Sequence, residues 1–318
     1  MATDTIAIVI AAWNAEATLE RAVVSAQAQT VPVDIIIVDD ASPDGTLALA
    51  QKLAADDPRI TVLAQENNGG PAKARNRAIA ETDSKWITVL DSDDFMAPDR
   101  LEKLLSLAKA HDADFVADDL YKVAEDDPDG PRTRMFTDDA IGETWLTTAS
   151  FVEANLSSKH GGRRELGFLK PLMSRTFMAQ HGLVYADMKL GEDYVLYANA
   201  LAEGAKFLLT DPAGYVAVVR PGSLSGWHPT HCHAELMAAD QALLDRADLP
   251  DDARAALTTH HLEQHKKWAW RCLIDAVRAR KPLAALACFK APMPVVSDLI
   301  SKLAGDVTKR FAKKRQPN

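Results

Sequence analysis

Short apolar runs and helical patterns alternate through the first third of this chain. The runs are rich in β-branched residues and occupy positions 6–12, 35–38, 60–63 and 86–90. Each is followed by a polar segment and a stretch with helical periodicity, and the first such stretch has Leu19, Val23 and Ala26 on one face. Four strand–helix units predict an α/β fold with a doubly wound, mostly parallel, Rossmann-like sheet.

The pattern becomes more varied along the rest of the chain. It predicts an amphipathic helix from position 98, a strand over 113–121, an exposed acidic loop over 125–131, a helix over 144–156, a polar basic segment over 157–164, two helical patterns within 167–209 and a late strand over 215–219. Beyond about residue 233 only helical patterns remain. One apolar stripe runs through 257–276, and another contains Val296, Leu299 and Leu303. We therefore predict a helical C-terminal extension.

Charge is distributed unevenly along the chain. The whole sequence carries −9, which disfavours a nucleic-acid partner. Five basic residues and one acidic residue give positions 305–318 a net charge of +4, so the remainder carries −13. Because an apolar helical stripe adjoins this basic tail, contact of a basic C-terminal helix with an anionic membrane surface stays open beside a terminal helix docked on the body.

Cysteine usage and the absence of long apolar runs indicate the compartment. Three widely spaced cysteines, Cys232, Cys272 and Cys288, favour a reducing compartment over a disulfide framework. The early acidic residue Asp4 argues against a signal peptide, and no apolar run reaches membrane-spanning length. We expect a cytoplasmic protein, with peripheral attachment to the inner face of the cell membrane left open.

Three carboxylates follow the fourth predicted strand. Asp91, Asp93 and Asp94 should lie at the carboxyl end of that strand, which is the ligand edge of an open α/β sheet. Adjacent carboxylates repel one another, and a bound cation relieves this repulsion. Their hard oxygen ligands suit Mg²⁺ or Mn²⁺ together with a phosphorylated substrate. A solvated turn that caps the next helix is the alternative interpretation.

Other polar residues follow the neighbouring strands and should converge on the same edge. Asp39 and Asp40 end the second strand, where they either cap a helix or accept hydrogen bonds from a base or ribose. A basic stretch that includes Lys73 and Arg75 follows the third strand. These cations could meet a nucleotide, and Arg75 could instead pair with the first or second carboxylate of the acidic triplet.

Five short segments occur in an order and spacing typical of one enzyme family. They are Ala-Ala-Trp-Asn at 11–14, Ser-Ala-Gln-Ala-Gln-Thr at 25–30, Ile-Val-Asp-Asp-Ala-Ser-Pro-Asp-Gly-Thr at 37–46, Asn-Gly-Gly-Pro-Ala-Lys-Ala-Arg-Asn at 68–76 and Val-Leu-Asp-Ser-Asp-Asp at 89–94. Together they resemble glycosyltransferase family 2, and the resemblance covers residues 6–225. It implies the GT-A fold, a nucleotide-sugar donor, usually a UDP-sugar, and Mg²⁺ or Mn²⁺ on a D-x-D motif, here Asp91 and Asp93, with Asp94 in a supporting role.

The resemblance also implies which residues contact the donor. They are Ala12, Trp13, Asn14, Asp39, Asp40, Lys73, Asp91, Ser92, Arg220, Ser223 and Ser225. The family often has Pro-x-Tyr-Asn in the first loop, and Trp13 can still stack on a base where this chain departs from that pattern. Either Asp39 or Asp40 would read the uracil. Arg220 and the two serines of its R-x-x-S-x-S segment would neutralise the leaving diphosphate.

The catalytic residue is expected in the second half of this region. The segment Gly-Glu-Asp-Tyr at 191–194 resembles the E-D motif of inverting family members. This implies that Asp193 is the general base and that Glu192 orients it or approaches the metal. A carboxylate that removes the acceptor proton contributes about 10²–10⁴-fold to the rate. The alternative is that both acids merely begin a helix, where the dipole favours negative charge.

A histidine-rich segment follows the late strand. His228, His231, Cys232 and His233 offer four ligands in six positions, but zinc sites usually draw a second pair from elsewhere in the chain. We therefore interpret the segment as a lid. His228 is retained as a candidate contact to the metal or the diphosphate.

The sequence thus predicts a metal-dependent inverting glycosyltransferase. Residues 1–232 would form the GT-A domain, with a nucleotide-sugar half (1–122) and an acceptor and catalytic half (123–232), and 233–318 the helical extension. By family resemblance the donor is UDP-glucose or another UDP-sugar, and the acceptor is a glycan or lipid-linked oligosaccharide of bacterial polysaccharide biosynthesis. A homodimer stays open.

Two other protein classes remain as alternatives. A sugar nucleotidyltransferase would normally carry a glycine-rich loop after the first strand, and residues 11–18 contain no glycine. A catalytically silent nucleotide-sugar scaffold would not need the pair formed by Glu192 and Asp193.

Overall fold

The computed structural model describes residues 4–157, 164–219 and 228–313. The chain divides into two compact units, Met1–Ser223 and Leu224–Asn318. The first contains the described strands, and the described residues of the second form helices and their connections. A helical C-terminal region is therefore present, as predicted. The predicted domain boundary after Cys232 falls inside the first helix of that region, Thr230–Leu244.

The described elements are labelled in chain order. The strands are β1 (Ile6–Ala12), β2 (Val33–Asp39), β3 (Ile60–Ala64), β4 (Trp86–Val89), β5 (Phe95–Met96), β6 (Phe115–Asp118), β7 (Tyr121–Ala124), β8 (Thr133–Arg134), β9 (Thr144–Leu146), β10 (Leu172–Ser174), β11 (Phe207–Thr210) and β12 (Tyr215–Val219). The helices are α1 (Leu19–Gln27), α2 (Thr46–Asp56), α3 (Pro71–Ala80), α4 (Arg100–His111), α5 (Thr148–Ala154), α6 (Arg175–Gln180), α7 (Glu192–Ala202), α8 (Thr230–Leu244), α9 (Asp251–Arg278), α10 (Pro282–Ala287) and α11 (Met293–Lys313). Short 3₁₀ turns occupy Leu166–Phe168 and Cys288–Lys290.

Eight strands form the central sheet in the order β3-β2-β1-β4-β10-β6-β11-β9. Strands β3, β2, β1 and β4 are parallel, and Ile8 of β1 lies opposite Ile35 of β2 and Thr88 of β4. The residues from Ile6 to Ile10 are all fully buried. Because consecutive side chains of a strand point to opposite faces, both faces of the sheet are covered. The predicted doubly wound, mostly parallel sheet is confirmed.

The far half of the central sheet is mixed. Strand β10 runs antiparallel to both β4 and β6, and β9 runs antiparallel to β11 at the edge. The predicted helix over 144–156 is wrong at its start, because its first residues form β9. The Thr147 hydroxyl accepts a hydrogen bond from the Ser150 N–H at 3.1 Å and caps α5 there. The helix therefore begins only after Thr147.

Four other strands also differ from the prediction. The single strand predicted over 113–121 is two strands, β6 and β7, which pair in different sheets. Strand β10 and all but the last residue of β11 lie in the segment 167–209, for which we predict two helical patterns and no strand. Strands of three or four residues are too short to show a periodic pattern, so only pairing with their neighbours defines them.

A smaller sheet has the order β5-β12-β7-β8. Strand β12 runs parallel to β7 and antiparallel to β5. Since β5 directly follows the acidic triplet, this pairing brings the late strand β12 next to Asp94. The last strand of the α/β unit, β12, therefore lies beside the ligand edge formed by the first half of that unit.

The helical unit is built around the long helix α9, which contacts α8, α10 and α11. Ala269 and Leu273 of α9 form a small core with Val295 and Leu299 of α11. One face of α11 is therefore docked within this unit. Among the described helices, none combines the length and the apolar composition needed to cross a bilayer.

Candidate active site

Arg75 joins three carboxylates at the carboxyl end of the central sheet. Its guanidinium donates to Asp91 at 3.0 Å, to Asp193 at 2.8 Å and to Glu192 at 3.2 Å. Arg75 is only 4% exposed, so these ion pairs are largely withdrawn from water. Of the two alternatives for Arg75, the structure shows the pairing with a carboxylate of the acidic triplet, Asp91. The structure adds the two acids of α7, which come from a distant part of the sequence.

The turn before α7 delivers Glu192 and Asp193 to this site. Gly191 has a φ of 78°, a left-handed conformation that other residues rarely adopt, and it directly precedes the helix. The alternative interpretation is that Glu192 and Asp193 merely begin a helix, whose first turn favours negative charge. It is incomplete, because both side chains also contact the buried Arg75.

Lys170 is a second buried cation in the site, and we did not predict it. Its ammonium lies 3.0 Å from Asp91 and 3.1 Å from Asp193, and the residue is 4% exposed. Arg100, which is fully buried, donates to the Lys170 carbonyl at 2.5 Å and so fixes the backbone there. The sequence held one signal: Lys170 stands in the apolar stretch 166–173, where a charge needs a partner.

Neighbouring charges keep Asp91 and Lys170 ionised despite their burial. Burial by itself raises the pKa of Asp91, but Lys170 and Arg75 lower it to about 2. Burial by itself lowers the pKa of Lys170, but Asp193 and Asp91 raise it above its ordinary value. Burial and the neighbouring Asp193 raise the pKa of Glu192. At neutral pH Asp91 is therefore a carboxylate and Lys170 an ammonium.

Asp94 connects the acidic loop to β12. Its buried carboxyl group accepts hydrogen bonds from the Tyr215 hydroxyl and from the Val218 N–H, both at 2.8 Å. The Tyr215 oxygen in turn accepts from the Asp91 N–H at 3.1 Å. Burial, together with the charges of Asp91 and Asp93, raises the pKa of Asp94 to about 8. These contacts hold the backbone of the acidic loop in place.

Asp39 and Asp40 are adjacent but have different surroundings. Asp40 accepts hydrogen bonds from the N–H groups of Gly69 at 2.8 Å and Gly70 at 2.7 Å, and so fixes the loop before α3. Asp39 Oδ2 accepts from the Ser42 N–H at 3.2 Å. Asp39 Oδ1 is buried and accepts no hydrogen bond from the residues that the structure describes. An unsatisfied buried oxygen is costly, so Asp39 Oδ1 is an acceptor suited to a ligand.

The first loop presents an aromatic ring beside these acids. Ala12 is buried at the end of β1, whereas Trp13 is 52% exposed. Asn14 adopts a φ of 52° and does not cap the first helix, because Thr18 is the residue that precedes α1. Its N–H donates to the Ser42 hydroxyl at 3.1 Å instead. The first loop is thus tied to the segment that follows Asp39 and Asp40.

The remaining predicted donor contacts of the first half are more exposed. Lys73 forms an ion pair with Asp187 at 3.0 Å, and both side chains are more than half exposed. Ser92 and Asp93 are partly exposed, and the Asp93 carbonyl accepts from Arg21 at 2.6 Å. These side chains are therefore accessible to a ligand at the sheet edge. Arg220, Ser223 and Ser225 lie outside the described residues.

Asp91 and Asp93 of the acidic triplet differ in how well they suit a divalent metal ion. Both oxygens of Asp91 face cations, Arg75 on one side and Lys170 on the other. Its negative charge is therefore already compensated. Asp93 is partly exposed and contributes the hard oxygen donors that Mg²⁺ and Mn²⁺ prefer. The metal site predicted on Asp91 and Asp93 stays a prediction, in which Asp93 is the carboxylate not seen to bind both buried cations.

The histidine-rich segment forms the start of α8. Ligand atoms of His231, Cys232 and Glu235 lie within 4.8 Å of one another, whereas His233 is buried against Gln264. Burial lowers the pKa of His233, and the charges of Lys267, His228 and Arg271 lower it further. Among the described residues this group has three ligands from one helix and no second pair from elsewhere in the chain, so it is a weaker metal candidate than the acidic loop. The proposed contact of His228 with metal or diphosphate stays a prediction.

Sequence comparisons identify relatives along nearly the whole chain. Residues 7–179 match the model described as glycosyl transferase family 2. The succinoglycan biosynthesis protein ExoU of Rhizobium meliloti is 39% identical over 317 residues, which cover 98% of this chain and 90% of that protein. The succinoglycan biosynthesis protein ExoO of the same organism is 37% identical over 76% of this chain and 68% of its own length.

Solved structures with the same fold are more distant in sequence. The TarS 1–349 fragment of S. aureus in complex with UDP superposes with a TM-score of 0.67 at 19% identity, over 95% of this chain and 92% of that one. The mannosyltransferase PcManGT of Pyrobaculum calidifontis, in complex with GDP-Man and Mn²⁺, has a TM-score of 0.57 at 15% identity, over 98% of this chain and 82% of that one. These similarities concern the fold.

Proposed function

This chain belongs to glycosyltransferase family 2 and has the GT-A fold, and from that premise we propose that it moves a sugar from a nucleotide-sugar to a glycan hydroxyl with inversion. The observation that carries the proposal is the joining of Asp91 to Asp193 through both Arg75 and Lys170. Such a transfer needs the donor diphosphate and the acceptor hydroxyl at one place. Asp91 belongs to the acidic loop expected to bind the diphosphate, and Asp193 is the expected base for the acceptor hydroxyl. Their joining therefore supports binding of both substrates at one place.

Asp193 is the general base in this mechanism. A sugar hydroxyl is a weak nucleophile, and a carboxylate that removes its proton in the transition state accelerates attack. Arg75 and Lys170, each bound to a different oxygen of Asp193, place two positive charges against this buried carboxylate. Each carboxylate oxygen has a second lone pair, so Asp193 keeps an acceptor for the hydroxyl proton.

The donor base is held by the first loop and by β2. Uracil has a ring N–H, and Asp39 Oδ1 is a buried acceptor without a donor among the described residues. We assign recognition of the base to Asp39 rather than to Asp40, because the oxygens of Asp40 already accept hydrogen bonds from the loop before α3. The exposed ring of Trp13 is available to stack on the base. UDP bound to TarS supports a UDP-sugar, and UDP-glucose is the first donor to test.

The departing diphosphate requires positive charge. A bound Mg²⁺ or Mn²⁺ would supply it and stabilise the leaving group. Asp93 would hold this ion, with His228 as a further candidate, and the Mn²⁺ bound to PcManGT supports the choice. Lys73 and Arg220 are cations of this chain that could meet the same phosphates.

The biological process follows from the names of the relatives. ExoU and ExoO are succinoglycan biosynthesis proteins, which supports a role for this chain in bacterial exopolysaccharide biosynthesis. The acceptor is then a growing glycan or lipid-linked oligosaccharide. A lipid-linked acceptor would be used at the cytoplasmic face of the cell membrane.

A donor screen tests the proposal. The full chain is incubated with UDP-, GDP- and dTDP-sugars in the presence of lipid-linked oligosaccharides, and nucleotide release is measured. We expect UDP release that depends on the acceptor, and a product with the anomeric configuration opposite to that of the donor, as read by NMR. Pyrophosphate release would instead indicate a nucleotidyltransferase. Binding of UDP without turnover of any donor would indicate a scaffold.

A further inference from the structure

The helical unit exposes an unusual number of large apolar side chains. Of the twelve exposed large hydrophobic residues in the described chain, six lie within the short segment 277–303. They are Val277, Leu283, Leu286, Met293, Ile300 and Leu303. Scattered exposed apolar residues need no explanation, but a concentration of them marks a surface that binds something apolar.

These side chains project from helices that are already docked. Leu283 and Leu286 lie one turn apart on α10 and are 82% and 66% exposed. Met293, Ile300 and Leu303 lie one or two turns apart on α11, whereas the inward face of α11 carries Val295 and Leu299.

Helix α11 therefore has two apolar faces, and one of them is unpartnered among the described residues. The apolar stripe predicted from the sequence mixes these faces, because it takes the buried Leu299 together with the exposed Leu303.

Basic residues accompany the exposed apolar face. Arg278, Arg280, Lys281 and Lys290 are all exposed, while Lys302 is paired with Asp298 at 2.7 Å. Over residues 276–318 the sequence has ten basic and two acidic side chains, a net charge of +8. The total of −9 leaves −17 on residues 1–275. One end of the chain is thus strongly basic and apolar at once.

We infer that the exposed faces of α10 and α11 form a docking surface for an anionic lipid bilayer. We define this surface by Leu283, Leu286, Met293, Ile300 and Leu303 with the neighbouring Arg280, Lys281 and Lys290. Interfacial helices bind bilayers by burying apolar side chains at the level of the headgroups, while lysine and arginine attract the anionic lipids.

Charge argues for a bilayer over a second copy of the chain. Protein interfaces are depleted in lysine, and two copies would bring their basic surfaces together. An anionic bilayer instead attracts the basic residues of this segment. Use of a lipid-linked acceptor rests on the proposed function, whereas lipid binding does not.

Vesicle sedimentation tests this inference on the full chain. We compare vesicles of phosphatidylcholine with vesicles that also contain phosphatidylglycerol. One variant removes apolar side chains (Leu283→Ser, Leu286→Ser, Ile300→Ser), and a second removes charge (Arg280→Gln, Lys281→Gln, Lys290→Gln). The matched controls alter exposed residues of the α/β unit, Val24→Ser with Val184→Ser, and Lys52→Gln with Lys122→Gln. Calorimetry of UDP binding is run on every variant.

We expect binding to the anionic vesicles only, weakened about tenfold or more in each docking-surface variant and unchanged in the controls. UDP affinity should stay at the wild-type value throughout. A loss of lipid binding with intact UDP binding would therefore leave the proposed function unaffected. The inference is overturned if the wild type ignores anionic vesicles or if the variants bind as the wild type does. A wild-type dimer that the apolar variant converts to monomer, without lipid binding, would assign the surface to a contact between copies.

Discussion

The Lys170 ammonium lies 3.1 Å from an oxygen of Asp193 and 3.0 Å from an oxygen of Asp91. One buried cation therefore joins the acidic loop after β4 to the acids of α7. Removing it leaves Arg75 to compensate three carboxylates, at a cost of roughly 3 kcal/mol or more in stability. Lys170 also lowers the pKa of Asp91, so its removal should raise that pKa and let Asp91 lose its charge at a higher pH than in the wild type.

We predict that Lys170→Met lowers turnover and moves the acid limb of the pH–rate profile to higher pH. Lys170→Arg, which keeps the charge, should restore part of both. The measurements are nucleotide release as a function of pH and thermal unfolding of the three proteins. A wild-type profile in Lys170→Met would remove Lys170 from the mechanism, whatever its effect on stability.

Asp193→Asn separates catalysis from donor binding. Because the neutral amide of this variant could not take up the proton of the acceptor hydroxyl, turnover should fall by about 10²–10⁴-fold. UDP affinity should change little, since the base is not expected to touch the nucleotide. Stopped assays of UDP release and calorimetry with UDP measure the two effects. Glu192→Gln is the matched control, and a larger loss in that variant would transfer the role of base to Glu192.

Asp39 and Asp40 should respond differently to the same substitution. Asp39→Asn leaves one acceptor oxygen for two donors, the Ser42 N–H and the expected uracil N–H, so UDP affinity should fall about tenfold through the loss of one hydrogen bond. Asp40→Asn removes charge from the site that binds Gly69 and Gly70, so it should mainly lower the unfolding temperature. Equal losses of UDP affinity in both variants would contradict the division of roles.

Metal dependence is tested by removal and return of the ion. Treatment with a chelator should abolish UDP release, and Mn²⁺ or Mg²⁺ should restore it. Asp93→Ala should raise the concentration of metal needed for half-maximal activity. His228→Ala is compared directly, because an equal shift in that variant would make His228 a ligand. Full activity of wild type in excess chelator would exclude a divalent ion from the reaction.

Stability of the helical unit should depend on pH through His233. Burial lowers the pKa of this residue below the ordinary 6.5, helped by Lys267, His228 and Arg271. The unfolded chain therefore binds a proton more readily, so this contribution to stability is complete above pH 6.5 and is lost as the pH falls through the lowered value. His233→Asn, which can still donate to Gln264, should reduce this loss on acidification. Thermal unfolding between neutral and mildly acidic pH measures it, and identical curves for both proteins would refute the role of His233.

The sequence determined the first half of the fold and most of the ligand edge. Strands β1 to β4 are continuous apolar runs because a parallel sheet is buried on both faces. They can therefore be predicted from the sequence alone. Once these strands are predicted, the polar residues at their ends, from Asp39 to Asp91, are predicted to lie at the ligand edge. The charge difference between the acidic body and the basic C-terminal segment was also evident from the sequence alone.

Only the tertiary structure decided which of these residues act together. Short strands such as β10 carry no periodic signal, and it is the pairing of β10 between β4 and β6 that brings Lys170 to Asp91. The separate surroundings of Asp39 and Asp40 depend on a loop thirty residues away, at Gly70. Likewise, only packing against α9 distinguishes the buried Leu299 from the exposed Ile300. Local patterns report the environment of a segment, whereas ion pairs and exposed faces are set by contacts between segments far apart in the chain.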